Sequence, residues 1–375
     1  MNGIKRGLLV GTAVVSLALT MGACGKTGGS KSDSSPSSGT SSSSNSGGGG
    51  GNQSIGLLLP DTVTARYEQF DKPLMEAKIK ELCPSCTVTY DNAAGDASKQ
   101  AQQVNSMITK GVKVLILDAQ DAVGIKSSVQ AAVDKGIKVV AYDRLAQGPV
   151  SAYVSYDNEK VGELQGQALL DALGAKANPN AKIVMINGDD ADPNAAQFKA
   201  GAHKVLDGKV KIAYEQSGLW KDTVANQKVT AAITQLGKNN IAAVYSANDT
   251  MAGGIATALK GAGINVPLTG QDAELAAIQR ILAGQQTATV YKAYKPEADA
   301  TAEIAVDLLQ GKDFTSVATN SATSGSGQQV PAKLLTAISV TKSNIKDTVI
   351  KDGMYSVGQV CTGQYAQLCK DNGIQ

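Results

Sequence analysis

Short runs of branched apolar residues alternate along the chain with longer stretches whose apolar positions recur every three or four residues. The first kind predicts strands and the second helices. Strands are expected at Ile55–Leu59, Thr87–Tyr90, Val112–Leu117, Ile137–Tyr142 and Ala152–Ser155. Helices at Tyr67–Leu82, Ser98–Lys110 and Val123–Lys135 lie between the first four. The rhythm then restarts with a helix at Glu159–Leu173. Strands follow at Lys182–Ile186, Lys211–Glu215, Ile241–Tyr245, Pro267–Thr269 and Thr287–Tyr291, separated by helices at Ala195–Leu206, Thr223–Leu236, Met251–Ala262 and Leu275–Ala283. Runs such as Val114-Leu115-Ile116-Leu117 are apolar at every position, which fits parallel strands covered on both faces. Alternation run through twice predicts an α/β protein with two doubly wound parallel-sheet lobes. In such sheets ligands sit beyond the carboxyl ends of the strands, so the residues there carry the chemistry.

Those residues are polar in both halves. Arg66-Tyr67 follows the first strand and Asp143-Arg144 the fourth; later ends bring Asp192 and Asn194, Asn248 and Asp249, Gln271 and Asp272, and Lys292. The lone tryptophan, Trp220, stands just before a helix. Aromatics make up only 4% of the chain, so one near a strand end is informative. Guanidinium forks and carboxylates together suit vicinal hydroxyls, and an aromatic face suits the C–H side of a sugar. Taken singly, each residue also fits a helix cap, a turn or a core position, and Asn248 and Asp249 fit a cap well. Their recurrence at strand ends in both halves favours a site.

Catalytic readings find no support. The single histidine, His203, follows Phe198 on a helix and reads as a surface or half-buried residue. No GxGxxG follows a strand and no GxxxxGK[ST] occurs, so no nucleotide cofactor, and no cofactor of any kind, is expected. Gly261-Ala262-Gly263 reads as a helix C-cap. Gly188–Asp192 is acidic but lacks the glycine and terminal Glu of a calcium loop, so no metal is expected. A formal charge of +2 on 375 residues argues against nucleic acid as a partner.

The first residues read as an address. Lys5 and Arg6 precede an uncharged apolar run from Leu8 to Met21, too short to span a bilayer, and residues 1–23 are read as a signal peptide. Met21-Gly22-Ala23-Cys24 resembles the lipobox of bacterial lipoproteins, which predicts lipid on Cys24 and an extracytoplasmic, membrane-anchored protein. Residues 25–53 hold 11 Ser and 9 Gly among 29, with no aliphatic side chain, and read as a tether that ends where folding begins near Ser54. Past the signal the charges are 33 against 33, which suits an uncharged ligand. In an exported protein Cys83, Cys86, Cys361 and Cys369 are expected to be structural disulfides, paired Cys83–Cys86 and Cys361–Cys369, with the other connectivities left open.

The ordered runs Ala141–Leu145, Val154–Gln165, Ser246–Gly254, Gly270–Ile281, Thr289–Lys292 and Asn344–Gly353 make the chain, from about Ser54 to Gly353, resemble the D-xylose-binding proteins of bacterial ABC transporters, in the type I solute-binding family for pentoses and hexoses. The resemblance implies two lobes, 54–157 plus 292–330 and 158–291 plus 331–375, joined by a three-strand hinge near Asn158, Lys292 and Val330. It implies sugar-binding roles for Arg66, Asp143, Arg144, Asn194, Trp220, Asn248, Asp272 and Lys292. Tyr67 stands where that family usually has Trp, the loop around Trp220 differs by one residue, and the tail beyond Gly353 departs from the pattern. The implied partners are a monosaccharide, aldopentose or aldohexose, and an ABC permease, served by a monomer. A sensory module reporting occupancy to a membrane receptor is the alternative.

Overall fold

The computed structural model describes residues 53–375; the leader, Cys24 and all but the end of the tether lie outside the described residues. The chain runs through β1 (Ser54–Leu59), α1 (Lys72–Leu82), β2 (Thr87–Asn92), α2 (Ala97–Lys110), β3 (Val114–Leu117), α3 (Lys126–Asp134), β4 (Lys138–Tyr142) and β5 (Ala152–Tyr156). These strands are parallel in the order β5-β4-β3-β1-β2. β1 and β3 are buried throughout, as strands covered on both faces must be, while the edge strand β2 is partly exposed. The stretch predicted as one helix from Tyr67 is divided, because Tyr67–Asp71 winds as a π turn ahead of α1. Pro73 has no N–H to continue the ladder, and the Lys72 N–H reaches back five residues to the Tyr67 carbonyl.

A second half follows: α4 (Asn158–Leu173), β6 (Lys182–Asn187), α5 (Pro193–Leu206), β7 (Lys211–Ser217), α6 (Asp222–Leu236), β8 (Ala243–Ser246), α7 (Asp249–Gly261), β9 (Thr269–Gln271), α8 (Leu275–Leu282) and β10 (Ala288–Tyr291). β7, β6 and β8 are parallel neighbours, as are β9 and β10, and a bridge between Val244 and Leu268 links the two groups. The strand expected at Pro267–Thr269 is thus realised two residues later, with Leu268 making the bridge. α4 and α5 cross with their backbones in contact. A Cβ on Gly162 would come 2.0 Å from the Phe198 carbonyl oxygen, and one on Gly201 1.9 Å from that of Glu159. This close crossing fixes where α5 presents its first turn.

The chain then returns. α9 (Tyr294–Gln310) packs on α1 and on the first sheet, and β11 (Asn320–Thr323) forms a hairpin with β12 (Gln329–Leu335), which extends that sheet parallel to β5. β13 (Ile338–Thr341) pairs antiparallel with β10, and α10 (Val357–Val360) and α11 (Tyr365–Asp371) pack on α8. Three passages therefore join the halves, and they are bonded side by side. The Asp157 N–H donates to the Leu335 carbonyl at 3.0 Å, and the Tyr156 hydroxyl to that of Ala293 at 2.7 Å. Both expected disulfides are present: Cys83–Cys86 closes the turn after α1, and Cys361–Cys369 ties α10 to α11.

Candidate ligand-binding cleft

The carboxyl ends of the two sheets face each other across a narrow cleft. Arg66, Tyr67, Asp143, Arg144, Asn194, Trp220, Asn248, Asp272 and Lys292 all line it, with Thr64, Phe198 and two more of the strand-end residues, Asp192 and Gln271; Asp249, also named from its strand end, does not. In the first half the π turn after β1 aims Arg66 inward. Its guanidinium bonds Asp71 at 2.8 Å, Asp143 at 3.1 Å and Glu297 at 3.0 Å, and the Tyr142 hydroxyl accepts from it at 3.2 Å. Asp143 follows β4 in the left-handed region, φ 54°. Its N–H donates to the Val154 carbonyl, while its own carbonyl accepts from the Tyr153 and Ser155 hydroxyls and from the Asn194 amide. A side chain held at such a φ marks a backbone fixed by its surroundings. Arg144 donates to the Tyr67 hydroxyl and the Ala119 carbonyl, both at 3.1 Å.

In the second half Asp272 follows β9 at φ 94°, and its N–H donates to the Val290 carbonyl, the counterpart of the Asp143 turn. Lys292, at the passage after β10, pairs with Asp272 at 3.3 Å and lies 5.3 Å from the centroid of the Phe198 ring. Asn248 caps α7 by accepting from the Met251 N–H. Leu219 and Trp220 both take positive φ, which turns the indole into the cleft edge-on to Phe198. Gly188 makes room for it, since a Cβ there would come 2.0 Å from the indole ring. The halves also touch directly. Asp192 pairs with Arg144 at 2.8 Å, Asn194 donates to the Asp143 carbonyl, and the Ala122 N–H donates to the Ala191 carbonyl at 3.1 Å.

Three cations, Arg66, Arg144 and Lys292, share this buried region with six carboxyls, those of Asp71, Asp118, Asp143, Asp192, Asp272 and Glu297. Burial pushes Asp143 up, but Arg66, Lys292 and Arg144 outweigh it and hold the carboxyl below its ordinary range. Burial and the nearby Asp143 push Glu297 up to about 8 in spite of Arg66. Burial works against the Lys292 ammonium, yet Asp272 and Asp143 hold its pKa above the usual value. Asp143 is thus held ionised by the three cations around it. Among the described residues the Trp220 Nε1 and Gln271 Oε1 have no hydrogen-bond partner. The cleft offers planar donors, charged acceptors and two aromatic faces to a neutral polyol. Among the lining residues there is no nucleophile beside a base.

Sequence reasoning missed Phe198 as part of the wall, although it lies four residues after Asn194 and so on the same face of α5. It also missed the supporting acids Asp71, Asp118 and Glu297. His203 is half-buried on the far part of α5, 3.0 Å from Asp207, and plays no part in the cleft. Gly261-Ala262-Gly263 does close α7.

Residues 55–313 match the family model described as periplasmic binding protein domain. The chain belongs to that family. This periplasmic binding protein has the type I fold, and it is a binding protein, not an enzyme. It is 37% identical over 317 residues to the D-xylose-binding periplasmic protein of Escherichia coli (strain K12), taking in 82% of this chain and 92% of the relative. It is 38% identical over 311 residues to the D-xylose-binding periplasmic protein of Haemophilus influenzae, with 80% and 90% covered. Among solved structures, an ABC transporter solute binding protein from Clostridium phytofermentans with bound β-D-glucose has a TM-score of 0.73 at 27% identity, covering 82% of this chain and 99% of that one.

Proposed function

We propose that this protein captures an aldose, D-xylose before the others, in the cleft between its halves and delivers it to an ABC permease outside the cytoplasm. The observation that carries the reading is the cleft itself. Donors and acceptors from both sheets converge on one small volume lined by Trp220 and Phe198. Relatives named for D-xylose support the choice of sugar. The binding residues on this reading are Arg66, Tyr67, Asp143, Arg144, Asn194, Trp220, Asn248, Asp272 and Lys292. The lobes are 54–157 plus 292–335 and 158–291 plus 336–375, closing about the passages near Asn158, Lys292 and Leu335; β12 keeps residues 331–335 in the first sheet, past the boundary at Val330 expected from sequence. A sugar bonded from both lobes stabilises the closed form, because its contacts are complete only there.

The anchor is lipid on Cys24, with residues 25–53 as the tether. Among the described residues no helix is long and apolar enough to cross a membrane. Replacing Cys24 with Ser is expected to move the protein from the membrane fraction to the soluble one; retention in the membrane fraction sinks the anchor.

Calorimetric titration of the Cys24→Ser chain, freed of co-purified sugar, against a panel of aldoses tests the ligand. D-xylose is expected to bind most tightly. A tighter hexose overturns the named sugar and keeps the mechanism. Silence across the panel overturns aldose capture and favours a sensory module for another small molecule.

A further inference from the structure

Tyr294, the first residue of α9, touches both walls of the cleft. Its ring faces the Arg66 guanidinium, 4.8 Å from the centroid, and its hydroxyl donates to the Asp272 carbonyl at 2.7 Å. Arg66 comes from the first half and Asp272 from the second. The bond to Asp272 is one of two that hold that residue's backbone groups at φ 94°, the other being from its N–H to Val290. The Tyr294 ring also packs on Phe70 at 5.2 Å, and Phe70 meets Tyr355 edge-on at 5.8 Å. Phe70 belongs to the π turn that carries Tyr67, directly after Arg66, whereas Tyr355 sits in the core built from α8, α10, α11 and the Cys361–Cys369 staple.

We propose that Tyr294 is a positioning residue for ligand capture. Braced by Phe70, which Tyr355 backs from behind, it sets Arg66 and Asp272 against each other across the cleft and makes the C-terminal extension part of the closed state. The proposal deepens the ligand-capture reading and rests on it. The argument is geometric. Phe70 is half-buried and packs on the core of Tyr355 while its ring meets Tyr294, so it links that core to the turn of Arg66. A contact made between halves favours the closed arrangement without touching ligand. Weakening it therefore speeds release and leaves the encounter rate alone.

The test uses the Cys24→Ser chain with Tyr294→Phe, Tyr355→Ala or Tyr355→Phe added. Sugar exchange is followed by stopped flow with the aldose that binds most tightly. Tyr294→Phe and Tyr355→Ala are expected to raise the dissociation rate roughly 3–10-fold at the wild-type association rate. Tyr355→Phe keeps the ring and is expected to stay within about twofold of wild type. A second measurement needs no sugar: the distance between spin labels at the exposed positions Gln102 on α2 and Gln227 on α6, expected to lengthen in Tyr355→Ala. Wild-type rates and distances in Tyr355→Ala overturn the proposal, as does damage from Tyr355→Phe equal to that from Tyr355→Ala. If Tyr355→Ala does not fold, the unchanged dissociation rate of Tyr294→Phe overturns it instead. If the unmodified protein binds no aldose, the ligand reading fails while the label distances still decide the clamp.

Discussion

The turns carrying Asp143 and Asp272 are built alike and charged differently. Each follows a parallel strand, holds a non-glycine residue at positive φ and donates its N–H to the next strand. In the first half, however, Asp143 meets a guanidinium already fixed by Asp71, Glu297 and Tyr142. In the second, Asp272 meets a single ammonium, Lys292, at the longer distance of 3.3 Å. An Arg fork bonded on every side has no other geometry to adopt, whereas an ammonium on a four-carbon stem re-aims readily. The same backbone device thus supports a fixed template on one wall and an adaptable partner on the other. On the capture reading, a cleft that opens and closes is served by that asymmetry.

The strongest challenge to the comparison is Asp143→Ala. Removing one member of a buried charge network costs about 3–5 kcal/mol, because its partners stay buried. Sugar affinity is expected to fall by about 1,000-fold in calorimetry, with the fold retained by circular dichroism. Asp272→Ala is expected to cost less, about 10–100-fold, since the Lys292 ammonium can turn to other acceptors. Equal losses in the two variants would break the asymmetry. Gly188→Ala probes the wall opposite the template: it pushes Trp220 from its place, and affinity is expected to fall about tenfold at unchanged on-rate. Wild-type affinity there removes the indole from the site.

The smallest effect is on stability against pH. Burial and Asp143 push Glu297 up to about 8; burial and Glu274 push Asp249 up to about 8; burial pushes Glu274 up to about 7. For each, the folded protein holds the proton more tightly than the unfolded chain, whose carboxyls titrate at about 4. Their stabilisation is complete below that value and is lost as pH rises through 7 to 8. The melting temperature is expected to fall steadily between about pH 5 and pH 9, and less in Glu297→Gln. An identical profile in Glu297→Gln shows that the first half's surplus acid carries no proton.

Much of this molecule is legible before any coordinates. The doubly wound halves follow from strand–helix alternation, and the cleft residues from where those strands end. The supporting network is another matter. Arg66 and Glu297 are 231 positions apart, and no local pattern announces that they meet. α9 escapes notice because its buried face is largely alanine, with Glu297 and Thr301 among the buried positions, so the apolar contrast is weak. β11 is short and polar, and β12 contains Pro331, which cannot donate to a ladder and argues against a strand. The π turn at Tyr67 leaves only Pro73 as a signal, and a proline near the start of a helix is ordinary.

Trp220 is the chain's one tryptophan, and it lines the cleft. The protein's indole emission therefore comes from a single vantage point in the cleft wall, with Phe198 beside it. Occupancy, exchange and closure become optical quantities in the native sequence. The fluorescence of a single unlabelled variant then reports on its own capture step, free of background from any other indole.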